Sequence, residues 1–511
     1  MSSIFTKDFK AKLVTDFIAD VANTNNASSK YYITLGRLDE WPNENSPTSA
    51  NSSVQAYTYE LYNNMIAGKK ITTSDVSYML ERNTWSFNTV YDYYSHEDSN
   101  LQDKTFFVVT ASRSIYKCLF NNYGKPSTIE PTSTSTTGIY QTADGYVWKY
   151  MGNIPSITFN NFVTSTHIPA IIDSNIKSAA VNGSLDAIVV SNAGNNYVNI
   201  IDQGSIEEVI NSKLYKIANS GSSTADDYYN NSAFYIYSGP GLGQLTLVDS
   251  YDVNSSGKFV YTTTALSSVT PTSKFTIAPQ VEIVGDGTDA SAYAVVNTST
   301  YTVDSIKVVN RGRNYTYASV SIIANSFFGT DATAYPIISP PYGHGYDIIS
   351  ELGCDTVGIS VDFDASVNTI PYFIDYRQVG LLLNPLKIDT LPGTSNTYSS
   401  NTFVQQLQFV MDSARTSGTF TVNETVKGSI SKATGIIKYA NASYMMVANT
   451  VGTFITNESI SGVTSVATGS ITELNNIDLQ PNSGKVLYYR NIEDIQRSET
   501  SKEKIKLYIR F

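Results

Sequence analysis

The residues able to do chemistry are few and widely spaced. Only three histidines occur, His96, His167 and His344, and no two stand at the i, i+4 spacing that aims both imidazoles at one metal. His344 lies in Tyr-Gly-His-Gly-Tyr, where glycines would let a ligand approach but serve a tight turn equally well, and a turn is the expectation. Cys118 and Cys354 share no metal-ligand spacing and are read as two buried free thiols. Residues 238–244 (SGPGLGQ) lack the Lys-Ser/Thr of a phosphate loop and are read as a hairpin connection. Asp362 and Asp364 share one side of an expected strand, the pairing that glycoside cleavage uses, yet any acidic β-protein offers such pairs. Residues 286–290 (DGTDA) lack the closing Glu of a calcium loop and are read as a β-turn. With no Gly-x-Ser-x-Gly elbow, nucleophilic hydrolysis is disfavoured. No catalytic residue, cofactor or metal ligand is assigned.

The elements that would position any site follow from composition. At 511 residues the chain exceeds the ~100–200 of one domain. Charged residues are 15% and aromatics 12%, with 37 Tyr. Tyr, Thr, Val and Ile suit a pleated, half-buried surface, while Asn, Ser and Gly supply turns, so the chain should be mainly β. Net charge is −11, and the scattered basic residues form no stripe to neutralise phosphates, which argues against nucleic acid. No apolar run approaches the ~18 residues of a membrane span, and the N-terminus lacks the order of a signal peptide, so no membrane insertion and a cytoplasmic origin are expected.

Phe5, Phe9, Leu13, Phe17 and Val21 recur every four residues and predict one amphipathic helix. Residues 31–41 (YYITLGRLDEW) predict a strand ending at Gly36, 54–67 a short helix, and 105–120 paired strands. DAIVVSNAGNNY (186–197) matches DSIKVVNRGRNY (304–315) at seven of twelve positions, predicting a duplicated hairpin. Residues 418–437 and 452–471 agree at eleven of twenty, offset by 34 residues, so two copies should pair to bury faces that neither buries alone.

Certain landmarks follow one another in order: YYITLGRLDEW, RNTW (82–85), SIYKCLF (114–120), TIEPT (128–132) and DGYVWKYMGNIP (144–155). Near the end stand GKVLYYRN (484–491) and IKLYIRF (505–511). The set resembles the gene-product-eight baseplate wedge family of T-even-type contractile-tail bacteriophages over about residues 1–165 and 484–511. The long region from about 170 to 480 departs from that pattern. The resemblance implies a structural protein of the virion tail baseplate, assembled in the host cytoplasm, homodimeric in each of six wedges and bridging other wedge proteins, with no catalytic residue. Tyr32, Gly36, Arg37, Trp41, Trp85, Asp144, Gly145, Tyr146 and Trp148 are its pattern positions, expected to maintain the fold or form interfaces. Gly36 and Gly145 are expected to supply turn conformations, and Arg37 to hold a carboxylate or carbonyl.

The expected fold is a multi-layer β-sandwich core built from the N-terminal region and C-terminal strand, with inserted small all-β domains and a few short helices. The expected divisions are 1–168, a β-sandwich region with an N-terminal helix; 169–338, an insertion with the duplicated hairpin; 339–402, a return to the core; 403–475, an all-β insertion with the repeats; and 476–511, closing strands. Two other readings compete. A host-surface glycan-binding tail protein would display Tyr and Asn on its duplicated units, and a glycan-degrading enzyme would need two carboxylates at fixed separation.

Overall fold

A computed structural model describes residues 6–23, 25, 29–50, 54–218, 220–323, 329–364, 375–388, 396–498 and 500–511. The chain is mainly β, with 46% of residues in strands and 10% in helices. It forms two compact units, one of Met1–Asp8 with Leu80–Cys354, the other of Phe9–Met79 with Asp355–Phe511. The expected boundaries at 168 and 338 both fall inside the first unit.

In the second unit a five-stranded antiparallel sheet runs in the order Thr402–Val404, Met65–Lys70, Tyr31–Gly36, Tyr376–Leu383, Lys485–Ile495. All six residues of Tyr31–Gly36 are buried, which is why this strand reads as a near-continuous run instead of alternating. A second ladder pairs Thr356–Asp364 with Lys502–Arg510 and with the strand Val76–Glu81. The N-terminal and C-terminal segments are thus joined through strands some 300 residues from the first. The helix expected over 54–67 stops at Asn64, because Met65–Lys70 is taken into the sheet opposite Tyr31–Gly36.

The N-terminal helix spans Lys7–Ala22, and Phe5 lies outside the described residues. Its buried positions are Ala11 and Val14, while Phe9 is 45% exposed. A four-residue spacing advances about 400°, so the expected aromatic line drifts around the helix instead of holding one face. Phe17 on that line makes ring contacts with Tyr31 and Phe511.

The 34-residue repeats build one closed six-stranded barrel in the order Leu407–Met411, Tyr444–Val451, Thr434–Ala440, Thr425–Gly428, Ser459–Gly462, Thr468–Asn475. The two copies pair through Thr425–Gly428 and Ser459–Gly462, with Lys427 opposite its own repeat mate Ser461. Equivalent residues fill equivalent places in the core: Phe420 and Phe454, Val426 and Ile460, Ala433 and Ala467, Ile437 and Ile471.

In the first unit one sheet orders Phe107–Val109, Ser114–Phe120, Val147–Asn153 and Ile139–Gln141. A second closed barrel occupies residues 201–278, around Tyr215, Tyr229, Phe234, Tyr251 and Phe275. The glycines at 239, 241 and 243 join its strands Ala233–Ser238 and Leu245–Asn254 as a hairpin, all three at positive φ.

The shorter duplication is a strand followed by one turn. Asn192 accepts from the Gly194 amide and Asn310 from the Gly312 amide, at 3.0 Å each. Gly194, Asn196, Gly312 and Asn314 all have φ between 59° and 63°, and Tyr197 and Tyr315 are buried. Only the second copy belongs to a hairpin, Thr288–Val296 with Val303–Arg313. The first, Leu185–Asn192, pairs with the distant Ala332–Ile338, so the expectation of two hairpins is corrected to two copies of a strand and its turn.

Candidate functional site

The landmark residues of the first unit organise one aromatic core. Tyr146 and Trp148 are fully buried and stack at 5.4 Å with 17° between planes, and Tyr91 meets Trp148 edge-on. The Tyr146 hydroxyl donates to the Lys125 carbonyl at 2.6 Å and the Trp85 indole to Ser127 Oγ at 3.1 Å. Asp144 clamps the TIEPT segment to this sheet. Its Oδ2 accepts from the amides of Thr128 at 2.7 Å and Ile129 at 2.9 Å. Burial pushes the Asp144 carboxyl up, but these bonds and those from Thr142 and Tyr146 outweigh it and hold it below the usual range. Gly145 has φ +87°, and a Cβ there would sit 2.6 Å from Asn122 Nδ2, so both conformation and space require glycine.

In the second unit Tyr32 is fully buried, and its hydroxyl points at the carbonyls of Tyr398 and Ser400, 3.0 and 2.9 Å away. Trp41 donates from Nε1 to the carbonyl of Ile492 at 2.9 Å, joining the N-terminal landmark to the residue that follows GKVLYYRN. Two expectations are corrected here. Gly36 is not at positive φ; it is required because a Cβ would lie 2.9 Å from the Asn64 carbonyl oxygen, and Arg37 takes the positive φ of 60° instead. Among the described residues the Arg37 guanidinium holds neither a carboxylate nor a carbonyl but lies 3.5 Å from the Trp41 ring centroid, a cation–π contact. The carboxylate fork belongs to Arg377, which sequence reasoning passed over. It contacts Glu44 at 2.8 Å and Asp494 at 2.9 Å from a nearly buried position.

The one concentration of buried titratable groups among the described residues of the first unit centres on His344. Lys117 on Ser114–Phe120, Asp186 on Leu185–Asn192 and Glu351 at the end of Ile348–Glu351 converge on it. Lys117 Nζ lies 2.7 Å from Glu351 Oε1 and 3.0 Å from His344 Nδ1. His344 Nδ1 is 2.7 Å from the same glutamate oxygen, and Nε2 approaches Asp186 Oδ2 to 2.9 Å without hydrogen-bond alignment. Arg311 contacts Asp186 at 3.2 Å, and Lys117 Nζ lies 3.5 Å from the Tyr94 ring centroid. Burial alone would raise the Glu351 carboxyl, yet Lys117 and His344 hold it at about 2. Burial lowers the Lys117 ammonium despite its partners. The side chains of Lys117, Asp186, His344 and Glu351 are at most 4% exposed. The cluster ties the 339–353 loop to the strands Ser114–Phe120 and Leu185–Asn192, through Lys117 and Asp186. Tyr342, Gly343 and Gly345 around His344 do have positive φ, as a turn requires.

The remaining candidates do not converge. The His96 ring accepts from the Ile338 amide, and His167 contacts Thr166. Cys118 and Cys354 are both buried and free of disulfide, and burial pushes the Cys118 thiol well up. Asp362 and Asp364 face Lys504 and Lys502 across the ladder, at 3.1 and 2.9 Å. Asp286 accepts from the Thr316 and Tyr317 amides. Among the described residues no group of three or more His, Cys, Asp or Glu could hold a metal ion, and no helix is long and apolar enough to cross a membrane.

No family model matches the chain, and no curated protein does. The buried cluster was partly signalled, since Lys117 interrupts the otherwise apolar and aromatic strand IYKCLF, where a cation must find a buried partner.

Proposed function

We propose that the chain is a structural component of a contractile-tail baseplate wedge, bridging neighbouring wedge proteins and passing on the baseplate's conformational switch by rigid-body movement. The observation that carries this reading is the meeting of the two landmark ends: Tyr31–Gly36 and Lys485–Ile495 flank Tyr376–Leu383 in one sheet, and Trp41 bonds to Ile492. The first N-terminal landmark and the C-terminal ones therefore share the second unit, while the landmarks from 82 to 155 belong to the first unit together with the chain up to Cys354. All nine pattern residues serve packing or internal contacts, as befits a protein that works by holding its shape.

In this reading the chain is not an enzyme, takes no cofactor, and acts as a homodimer within each of six wedges of the virion. Its partners are other wedge proteins, with no nucleic acid and no membrane insertion. The test is cryo-electron reconstruction of the tail of a virion carrying this chain. Density fitting a pair of copies per wedge in the sixfold baseplate supports the proposal, and density only at a fibre tip or as single peripheral copies overturns it.

A further inference from the structure

Nine of the tyrosines and polar residues around the 201–278 barrel divide sharply into two kinds. Buried Tyr197, Tyr215, Tyr229 and Tyr251 each spend the hydroxyl on a backbone partner. By contrast Tyr235, Tyr237 and Tyr293 border a cleft of about 460 Å³, and among the described residues none of their hydroxyls has a hydrogen bond within the chain. Asp202 and Lys307 stand at the same cleft, both exposed and, among the described residues, neither in an ion pair.

The cleft is built, not incidental. Tyr235 lies on the barrel strand Ala233–Ser238, and Tyr293 on Thr288–Val296 with Lys307 directly opposite it. Their rings stack at 4.6 Å with 25° between planes, which fixes both orientations. A bridge between Gln280 and Tyr293 ties the hairpin to the chain leaving the barrel. Burial, with help from Tyr235 and Asp202, pushes the Tyr293 hydroxyl up to about 12, so it remains a neutral donor.

We propose that this cleft binds an uncharged sugar ring, a hexose or N-acetylhexosamine unit of a glycan. A pyranose has an apolar face to lie on a tyrosine and hydroxyls that can both donate and accept, matching a carboxylate, an ammonium and three phenols. A purely apolar ligand would desolvate Asp202 and Lys307 without return. A phosphorylated one would meet Asp202 with only one cation to offset it. The volume falls in the range of small-ligand sites and suits one or two rings. The inference does not depend on where the chain sits in a particle, so it and the baseplate proposal can fail separately.

The experiment is titration calorimetry and saturation-transfer NMR on the full chain with cellobiose, maltose, lactose and N,N′-diacetylchitobiose. At least one should bind with a dissociation constant below about 10 mM. Tyr293→Ala and Tyr235→Ala should weaken that binding about tenfold or more, and Tyr293→Phe, which keeps the ring face, by about threefold or less. Asp202→Asn and Lys307→Ala alter exposed groups that support nothing else, so they keep the test open if a tyrosine variant misfolds, and each should weaken binding several-fold. Binding of none of the four sugars, or binding unchanged in the folded Asp202 and Lys307 variants, overturns the assignment.

Discussion

Removing Glu458 should loosen a turn that belongs to the other repeat. Its carboxylate accepts from the Ile430 amide at 3.1 Å, the Ser431 amide at 3.0 Å and the Ser431 hydroxyl at 2.8 Å, all in the first copy, and from the Ile455 amide at 2.9 Å in its own. Glu424 does the reverse, accepting from the Thr464 and Ser465 amides and the Ser465 hydroxyl of the second copy. Hydrogen bonds to an ionised acceptor contribute about 1.5–3 kcal/mol each, but the serine hydroxyl can turn to water and the losses do not add, so Glu458→Ala should cost about 2–4 kcal/mol. If about 2 kcal/mol of this appears as local opening, amide exchange at Ile430 and Ser431 should accelerate roughly thirtyfold. Exchange at Thr464 and Ser465 should stay slow, and Glu424→Ala should give the mirror pattern. Hydrogen exchange read by mass spectrometry on the full chain measures both. Faster exchange confined to residues 455–458 in Glu458→Ala would refute the cross-copy argument.

Three other outcomes are expected. The Glu424 carboxyl is held at about 2, chiefly by Ser465 against the upward push of burial, below an ordinary 4.5. Its contribution is therefore present above pH ~4.5 and disappears as pH falls toward 2, so acid titration through that range should deprotect the 464–465 turn. Trp148→Ala empties a fully buried site and should cost about 3–5 kcal/mol by denaturant unfolding, whereas an unchanged midpoint would move Trp148 from core to interface. Glu351→Gln leaves Lys117 and His344 buried without their carboxylate and should cost about 3–5 kcal/mol, while the additional change Lys117→Met should recover part of that loss.

Fold class, the first strand and the long repeat were legible because each rests on local pattern. The 34-residue repeat keeps Gly, Asn and Glu where its turns need them, and turn chemistry survives when strand residues drift. The unit boundary after Met79 was not legible, because the partners of the early strands, Tyr376–Leu383 and Thr356–Asp364, lie some 300 residues away. The 201–278 barrel repeats nothing internally, so no periodicity announced it. Gly36 and Arg37 show a finer limit: the sequence marked the glycine, but whether it answers to a φ angle or to a neighbouring carbonyl is decided by Asn64 in three dimensions. The ion cluster at His344 draws on residues as far apart as Lys117 and Glu351, and only Lys117 within a buried strand hinted at it.

The neck of the repeat barrel makes its independence testable. The chain enters beyond Val404 and returns at Asp478, and these two residues bond to each other, Asp478 N to Val404 O at 3.0 Å and Val404 N to Asp478 Oδ2 at 2.8 Å. Gln405 and Leu479 continue the clasp at 3.1 and 3.2 Å. An insertion whose ends already touch can be excised without moving the framework, since closing a short loop there adds little entropy. Replacing residues 407–476 with a short Gly/Ser linker keeps Gln406, whose amide reaches the Met65 carbonyl, and loses the Lys438–Asp39 ion pair, whose side chains are 16% and 32% exposed and which contributes about 1 kcal/mol. The shortened chain should therefore fold, with slow exchange retained across Tyr31–Gly36 and Tyr376–Leu383. A deletion variant that loses protection in those two strands would show that the barrel supports the sheet and is not a separable insertion. A folded variant allows the baseplate proposal to be tested with the insertion removed, separating what the shared framework does from what the barrel adds.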